Sequence, residues 1–303
     1  MMPTMCEHRL RRSLLITPGN RPDRLAKAIA LPADAFVFDL EDGVPPDAKP
    51  DARRLVVEAA RQLDLGGREL CVRVSAIGTP DIDADLSALP LGVIDTLMIP
   101  KVERASDLAG LDRRLADLER AAGRKTPLDL IVTLETPRGM LRALDIADAS
   151  PRTSALFFGS GDYSAATGGA LTAAALHVPR SMVVAAAAAA GLQAIDAAFF
   201  MAVKDAEATR EDARTARELG FSGKLVFHPV QVAVANEVFS PTAEETRWAE
   251  RVVAAHRESV SHGRGTAMVD GAFVAIDIVL MAQRTSSRAR AVAKQEILLH
   301  AAR

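Results

Sequence analysis

The feature that most constrains the fold of this chain is a series of eight short apolar runs, most of them separated by segments with a helical pattern. The runs are rich in β-branched and aromatic residues and cover residues 13–17, 35–40, 69–74, 94–100, 129–135, 155–159, 194–201 and 224–228. The amphipathic or alanine-rich segments between them predict helices over residues 21–30, 49–63, 105–122, 140–149, 180–190 and 205–219. This alternation predicts strands that are joined by crossover helices.

Strands that are apolar along their whole length belong to parallel sheets whose outer face is covered by helices. Eight strand–helix units suffice to close such a sheet into a (β/α)8 TIM barrel. An open, doubly wound sheet is the alternative, but the turn after the first run, residues 17–20, lacks the glycine spacing of a dinucleotide-binding loop. We therefore predict an α/β fold with a TIM barrel over residues 10–235.

The chain continues after the eighth run for longer than one closing helix requires. Residues 240–245 have the composition of a helix start, with serine or threonine ahead of glutamate. A helix to residue 259, a glycine-containing stretch over 262–271 and a last helical segment to 303 are expected to follow. We predict that residues 236–303 form a C-terminal helical extension or lid that packs on the barrel or on a neighbouring subunit.

Composition excludes several classes of partner. The formal net charge is −2, and lysine and arginine are spread along the chain, so neither nucleic acid nor a membrane surface is an expected partner. Cys6 and Cys71 provide no disulfide framework and no CxxC spacing. No stretch approaches the roughly 20 apolar residues of a membrane span, and residues 1–12 lack the core of a signal peptide. We predict a soluble, cytoplasmic protein.

Charged and polar residues end most of the apolar runs or follow them closely. In a TIM barrel the functional site forms at the carboxyl-terminal ends of the strands, so these positions are the candidates for chemistry. They are Asp39, Glu41 and Asp42 after the second run, Arg73 in the third, Lys101 and Glu103 after the fourth, Glu135 in the fifth, Asp162 after the sixth and His228 at the eighth.

Glu135 and Asp162 follow neighbouring strands, which leaves two interpretations open. A carboxylate at the end of a buried strand must be solvated, paired or bound to a cation. Mg²⁺ takes few protein carboxylates and keeps water or substrate oxygens as its other ligands, and this arrangement suits the two acids. Alternatively, the acids pair with Arg73 and Lys101 in a ring of salt bridges. The residues alone do not separate these interpretations.

The basic candidates also have two possible roles each. The planar guanidinium of Arg73 suits a substrate carboxylate or a developing oxyanion, or it is a structural partner of Asp39 or Glu41. Lys101 neutralises the acids or forms a Schiff base, and the nearby carboxylates favour neutralisation. His228 is a general base or a capping residue at a strand end.

Several of these positions lie within distinctive short motifs. They read Phe38-Asp39-Leu40-Glu41-Asp42-Gly43-Val44, Val72-Arg73-Val74, Ile99-Pro100-Lys101-Val102-Glu103, Glu135-Thr136-Pro137-Arg138-Gly139, Gly159-Ser160-Gly161-Asp162 and His228-Pro229-Val230-Gln231. In this order, over residues 10–280, the motifs resemble the citrate lyase beta-subunit-like branch of the HpcH/HpaI aldolase superfamily. Several independent motifs in one order are more specific than any one of them alone.

The resemblance implies a (β/α)8 barrel, commonly trimeric, that binds Mg²⁺ through the positions of Glu135 and Asp162. It implies carbon–carbon cleavage of 3-hydroxyacyl-CoA thioesters of the citryl, malyl or citramalyl type, with an oxo acid and an acyl-CoA as partners. Arg73 matches the arginine that grips the oxo acid. Lys27 matches a basic position that family members use near the CoA phosphates. Glu135 and Arg73 are thus the expected catalytic and substrate-binding residues.

One position departs from the pattern of the resemblance. The lyases carry an aspartate, shortly after a Val-Asp-Gly segment, that is taken to protonate the enolate. Here Val269-Asp270-Gly271 is present, but Ala275 occupies the place of that aspartate. Three functions are therefore weighed. The first is a Mg²⁺-dependent CoA-thioester lyase, the second is a diverged aldolase for free hydroxy-oxo acids or an acyl-CoA thioesterase, and the third is a catalytically silent relative that binds metabolites.

Overall fold

A computed structural model describes residues 9–301 and contains the predicted closed barrel. All eight barrel strands are parallel, each pairs with the next in sequence, and β8 pairs with β1. The strands are β1 Ser13–Pro18, β2 Ala35–Asp39, β3 Glu69–Arg73, β4 Thr96–Ile99, β5 Asp129–Leu134, β6 Thr153–Phe158, β7 Gln193–Ala197 and β8 Gly223–Val226. The sequence-based prediction of a TIM barrel is confirmed.

Helices cover the outside of the barrel and continue beyond it. They are α1 Pro22–Ala28, α2 Lys49–Gln62, α3 Pro80–Ala88, α4 Ala105–Ala121, α5 Pro137–Met140, α6 Ala143–Ala147, α7 Ser160–Thr167, α8 Ala173–Ala189, α9 Ala206–Leu219, α10 Pro229–Val238, α11 Ala243–Ser261 and α12 Ile276–Ala301. One turn of 3-10 helix, Pro46–Ala48, precedes α2. The sequence pattern missed α3, α5, α7 and α10, and β7 ends at Ala197 rather than at residue 201 as predicted.

Alternating residues of the strands fill the barrel interior with apolar side chains. This cluster contains Leu14, Ile16, Ala35, Val37, Cys71, Met98, Ile131, Ala155, Phe157, Ile195, Ala197 and Leu225. Because side chains alternate between the two faces of a strand, residues an even number of positions further along also face inward. Asp39, Arg73 and Glu135 therefore point toward the carboxyl-terminal ends of the strands, which we call the barrel mouth.

The opposite end of the interior is closed by a buried ion pair. Arg11 donates two hydrogen bonds to Glu69, from Nε at 2.8 Å and from Nη2 at 2.7 Å. Their side chains are only 1% and 3% exposed. Arg11 also donates to Ser154 and Gln193, so its guanidinium is satisfied by neighbouring strands. A Cβ at Gly223 would collide with the carbonyl oxygen of Arg11, which explains the glycine there.

The chain divides into two compact units between Glu237 and Val238, two residues beyond the predicted boundary of 235/236. The C-terminal unit contains α11 and α12 and, between them, an antiparallel hairpin of β9 Ala267–Val269 and β10 Ala272–Val274. The hairpin lies where a glycine-containing stretch was expected. Its two turn residues, Asp270 and Gly271, have positive φ angles of 51° and 81°, as a tight two-residue hairpin requires.

The predicted start of the C-terminal helix is confirmed in detail. Thr242 is the N-cap of α11, and its hydroxyl accepts from the Glu245 amide while the Glu245 side chain accepts from the Thr242 amide. Within residues 9–301 no helix is long and apolar enough to cross a membrane. Cys71 is buried and unpaired, whereas Cys6 lies outside the described residues. The packing of this unit on a barrel or a subunit stays a prediction.

We expect Glu69→Ala to lower the free energy of unfolding by about 3–5 kcal/mol, because it leaves the Arg11 guanidinium buried without its countercharge. Urea unfolding followed by circular dichroism measures the change. Glu58→Ala is the matched control, since Glu58 pairs with Arg54 on the exposed face of α2, and its effect should stay below about 0.5 kcal/mol. Equal effects of the two substitutions would contradict a special role for the buried pair.

Candidate active site

Glu135 is the buried acid of the barrel mouth. It follows β5 directly and is only 2% exposed. Its Oε1 accepts a hydrogen bond from the backbone amide of Lys101 at 2.8 Å. Its Oε2 lies over Gly159, where a Cβ would come within 2.5 Å of both that oxygen and the Glu135 Cβ. The glycine after β6 is therefore required by the space that the Glu135 carboxylate occupies.

Burial, together with the negative charges of Asp162 and Glu41, raises the pKa of Glu135 to about 8, against the opposing effects of the Lys101 amide and Arg73. Asp162 lies in the first turn of α7 and is exposed. The two predicted acids thus follow the neighbouring strands β5 and β6, and the charge of Asp162 acts on Glu135. The unfavourable charge of a buried carboxylate near other acids is relieved by a proton or by a cation.

Arg73 is fixed by the acids that follow β2. Its Nε and Nη2 each donate to a separate carboxylate oxygen of Asp39 at 2.7 Å, and its Nη1 lies 3.2 Å from Glu41 Oε2. Burial opposes the charge, but Asp39 and Glu41 outweigh it and raise the pKa of Arg73 above its usual range. The pairing with Asp39 and Glu41, one of the two roles weighed from the sequence, is present. The side chain remains 15% exposed at the mouth.

Asp39 organises the turn that carries the other acids. Besides the Arg73 guanidinium, it accepts hydrogen bonds from the amides of Glu41 at 2.9 Å and Gly43 at 3.0 Å. A Cβ at Gly43 would overlap the Asp39 carboxylate. Both carboxylate oxygens of Asp39 accept hydrogen bonds from the turn and from Arg73, so Asp39 is a poor candidate for a metal ligand.

Lys101 contacts the acids of the same turn. Its Nζ lies 2.6 Å from Glu41 Oε1 and 2.7 Å from Asp42 Oδ2. Partial burial opposes the charge, but these hydrogen bonds outweigh it and raise the pKa of Lys101. A more firmly protonated amine is a poor nucleophile for a Schiff base. The geometry therefore favours the neutralising role that the sequence suggested.

Three other candidates lie outside this cluster. His228 accepts from the Val230 amide through Nδ1 at 3.3 Å, at the start of α10, as a capping histidine does. Glu103 pairs with Arg138 at 3.3 Å, and both side chains are partly exposed. Lys27 lies exposed on α1, the helix that follows β1. None of these three contacts Glu135 among the described hydrogen bonds and ion pairs.

The residues fit a hard divalent cation. The carboxylates of the mouth outnumber the two cations that contact them, Arg73 and Lys101. Within the described part of the chain no group of three or more histidine, cysteine, aspartate or glutamate ligands forms a cage. Mg²⁺ needs no such cage, because one or two carboxylates and several water or substrate oxygens complete its shell. Glu135 and Asp162 provide that donor set, and the raised pKa of Glu135 shows how poorly the uncompensated charge is tolerated.

A closed barrel whose mouth has carboxylates after neighbouring strands, near an arginine, defines a class of α/β barrel suited to bind a divalent cation. Residues 12–229 match the HpcH/HpaI aldolase/citrate lyase family, and the chain belongs to that family. The predicted resemblance is confirmed.

Relatives of this chain include lyases and thioesterases. It is 38% identical over 284 residues to (3S)-malyl-CoA thioesterase of Cereibacter sphaeroides, covering 93% of this chain and 95% of the relative. It is 34% identical over 297 residues to L-malyl-CoA/beta-methylmalyl-CoA lyase of Rhodobacter capsulatus, covering 91% and 93%. Among solved structures, protein CitE of Mycobacterium tuberculosis in complex with magnesium, acetoacetate and coenzyme A superposes with a TM-score of 0.75 at 34% identity, covering 93% of this chain and 98% of that chain.

The raised pKa of Glu135 predicts that divalent metal binding depends on pH. Below about pH 8 the carboxyl keeps a proton that the metal must displace, so affinity should fall by up to about tenfold per pH unit as pH drops and should level off above about pH 8. Calorimetric titration of Mn²⁺ between about pH 6 and about pH 9 measures this.

Glu135→Gln should remove most of the binding, and Glu103→Gln is the matched control that should keep both the affinity and its pH dependence, because Glu103 pairs with Arg138 away from Glu135. An affinity that stays constant across this range would contradict the proton competition.

Proposed function

We propose that this protein is a Mg²⁺-dependent lyase that cleaves a 3-hydroxyacyl-CoA thioester of the malyl, citramalyl or citryl type into an acyl-CoA and a 2-oxo acid. The observation that carries the proposal is the buried Glu135 carboxylate, which packs against Gly159 and whose pKa is raised by burial and by the negative charge of Asp162. Such a pair holds a cation while leaving its other positions to substrate oxygens.

The reaction breaks the bond between C2 and C3 of the thioester. The C3 hydroxyl loses its proton and becomes the carbonyl of the oxo acid, while the bonding electrons pass to C2 and form the enolate of the acyl-CoA. Bound Mg²⁺ would act as a Lewis acid on the carboxylate and oxygen atoms of the oxo acid. Arg73, which Asp39 and Glu41 hold in place, supplies fixed positive charge beside the developing oxyanion.

Hydrolysis of the same thioester is the second candidate, and Ala275 favours it. Ala275 lies between β10 and α12, and the nearest carboxylate that follows, Asp277, is two residues further along and exposed. A lyase must protonate C2 of the enolate, and loss of a positioned acid slows such a step about 10²- to 10⁴-fold. Hydrolysis adds water to the thioester carbonyl and releases the CoA thiol, so it needs no proton at C2. A thioesterase among the relatives supports this candidate.

The reaction products separate the two candidates. With Mg²⁺ and malyl-CoA the lyase yields glyoxylate and acetyl-CoA, whereas hydrolysis yields malate and free CoA; chromatography of both CoA species measures the ratio. We expect the lyase products, and a loss of at least about 10²-fold in Glu135→Ala because the metal site is removed. Glu103→Gln should retain the activity.

Malate and free CoA as the main products would favour the second candidate, and Ala275→Asp should then raise the share of lyase products. Turnover of free hydroxy-oxo acids alone would overturn both CoA-dependent candidates. Metabolite binding without any turnover would identify a silent relative.

Lys27 is proposed to contact the CoA phosphates. It lies on the exposed side of α1 with Arg21 and Arg24. We expect Lys27→Met to raise the KM for the CoA thioester by about 3- to 10-fold with little change in kcat, because a distant phosphate contact is lost from substrate and transition state alike.

A pantetheine thioester, which lacks the nucleotide phosphates, should show no difference between Lys27→Met and the unmodified protein. Lys125→Met, which removes an exposed charge between α4 and β5, is the matched control. An equal KM increase with the pantetheine thioester would refute the phosphate contact.

A further inference from the structure

Lys101 has an unusual backbone conformation at the edge of the metal centre. Its φ angle is +54°, and among the described residues other than glycine only Lys101 and Asp270 have positive φ. The Cβ atom of any residue other than glycine makes the left-handed region unfavourable, so surrounding contacts must hold Lys101 there. Asp270 is explained by the tight turn of its hairpin. Lys101 follows Pro100 at the end of β4 and lies in no hairpin.

The two ends of Lys101 are held by different elements. Its Nζ contacts Glu41 and Asp42 in the turn after β2, at 2.6 Å and 2.7 Å. Its backbone amide donates to Glu135 Oε1 after β5, at 2.8 Å. The residue therefore spans the mouth from the β2 turn to the buried carboxylate.

The hydrogen bond from the Lys101 amide occupies one oxygen of Glu135 and leaves the other available to a ligand. Oε1 is engaged on the β4 side, whereas Oε2 lies over Gly159 on the β6 side, where α7 brings Asp162. Rotation of the carboxylate would break the amide hydrogen bond. The carboxylate is thus oriented before any metal arrives.

We propose that Lys101 is a positioning residue for the metal centre. Its ion pairs with Glu41 and Asp42 hold the backbone in the left-handed conformation, and the backbone amide then orients Glu135 so that Oε2 is presented beside Asp162. The proposal rests on the proposed metal-binding role of Glu135 and Asp162. In this role the ion pairs of the lysine act on metal binding by orienting Glu135, and not only by neutralising the nearby acids.

Positioning and charge neutralisation predict opposite changes in metal affinity when the lysine side chain is removed. Removing a positive charge from an acidic site strengthens the attraction of a divalent cation, so simple neutralisation predicts tighter metal binding. Loss of orientation weakens binding, and changes in residues that orient metal ligands typically weaken affinity about 10- to 100-fold. The sign of the change therefore distinguishes the two roles.

The test is a titration of the metal-free full chain with Mn²⁺. Calorimetry and the electron paramagnetic resonance signal of free Mn²⁺ both measure the binding. Lys101→Met should bind Mn²⁺ at least about tenfold more weakly. Lys101→Gly should stay within about threefold of the unmodified protein, since glycine adopts positive φ without strain and keeps the amide donor. Lys101→Arg should restore binding, because it keeps the ion pairs. Lys125→Met, a remote charge deletion, should have no effect.

The outcomes separate failure of this inference from failure of the proposed function. If the unmodified protein does not bind Mn²⁺, the proposed metal-binding role of Glu135 and Asp162 is wrong. If it binds, and Lys101→Met binds equally or more tightly, Lys101 only neutralises charge and the inference is overturned. Equal weakening in the methionine and glycine variants would overturn the part played by the left-handed backbone. Lys101→Gln replaces the methionine variant if that protein does not fold.

Discussion

The desolvated negative charge of Glu135 is the constraint on which the barrel mouth depends. A carboxylate that is almost fully buried near other acids is unfavourable unless its oxygens accept hydrogen bonds and its charge is balanced by a proton or a cation. The Lys101 amide holds one oxygen, and Gly159 leaves space for the other. Arg73 and Asp39 form a rigid pair at one side of the same mouth. These contacts, at the ends of different strands, all hold or balance charged groups of the mouth.

The charges are balanced at one end of the barrel and unbalanced at the other. At the closed end, Arg11 and Glu69 neutralise each other and all their contacts come from the barrel itself, which is the arrangement of a structural plug. At the mouth, acids outnumber bases, and the excess falls on Glu135 and Asp162. A site that is satisfied internally contributes to stability, whereas one left with excess charge is suited to a ligand. This difference directs the chemistry to one end of the barrel.

Most of the fold was predictable because it depends on local patterns. Eight apolar runs gave eight strands, and the Ser-Pro-Thr segment gave the capped start of α11. The helices α3, α7 and α10 were not predicted, because none has a marked apolar stripe along the sequence, and α5 is only four residues long. The run over 194–201 was predicted too long, since Phe199, Phe200 and Met201 are apolar but lie beyond the last β7 hydrogen bonds. Apolar composition does not reveal where strand pairing ends.

The sequence by itself determined which residues reach the mouth, because strand alternation and the position of each acid at a strand end fix the direction of Glu135 and Arg73. It left open whether Arg73 pairs with Asp39, and it gave no sign that the backbone of Lys101 orients Glu135. Those points were decided by the tertiary structure. They depend on closing the barrel, which brings the ends of β2, β4, β5 and β6 together, and on contacts between residues far apart in the chain. Hydrogen-bond partners across strand ends are set by that closure and by no local pattern.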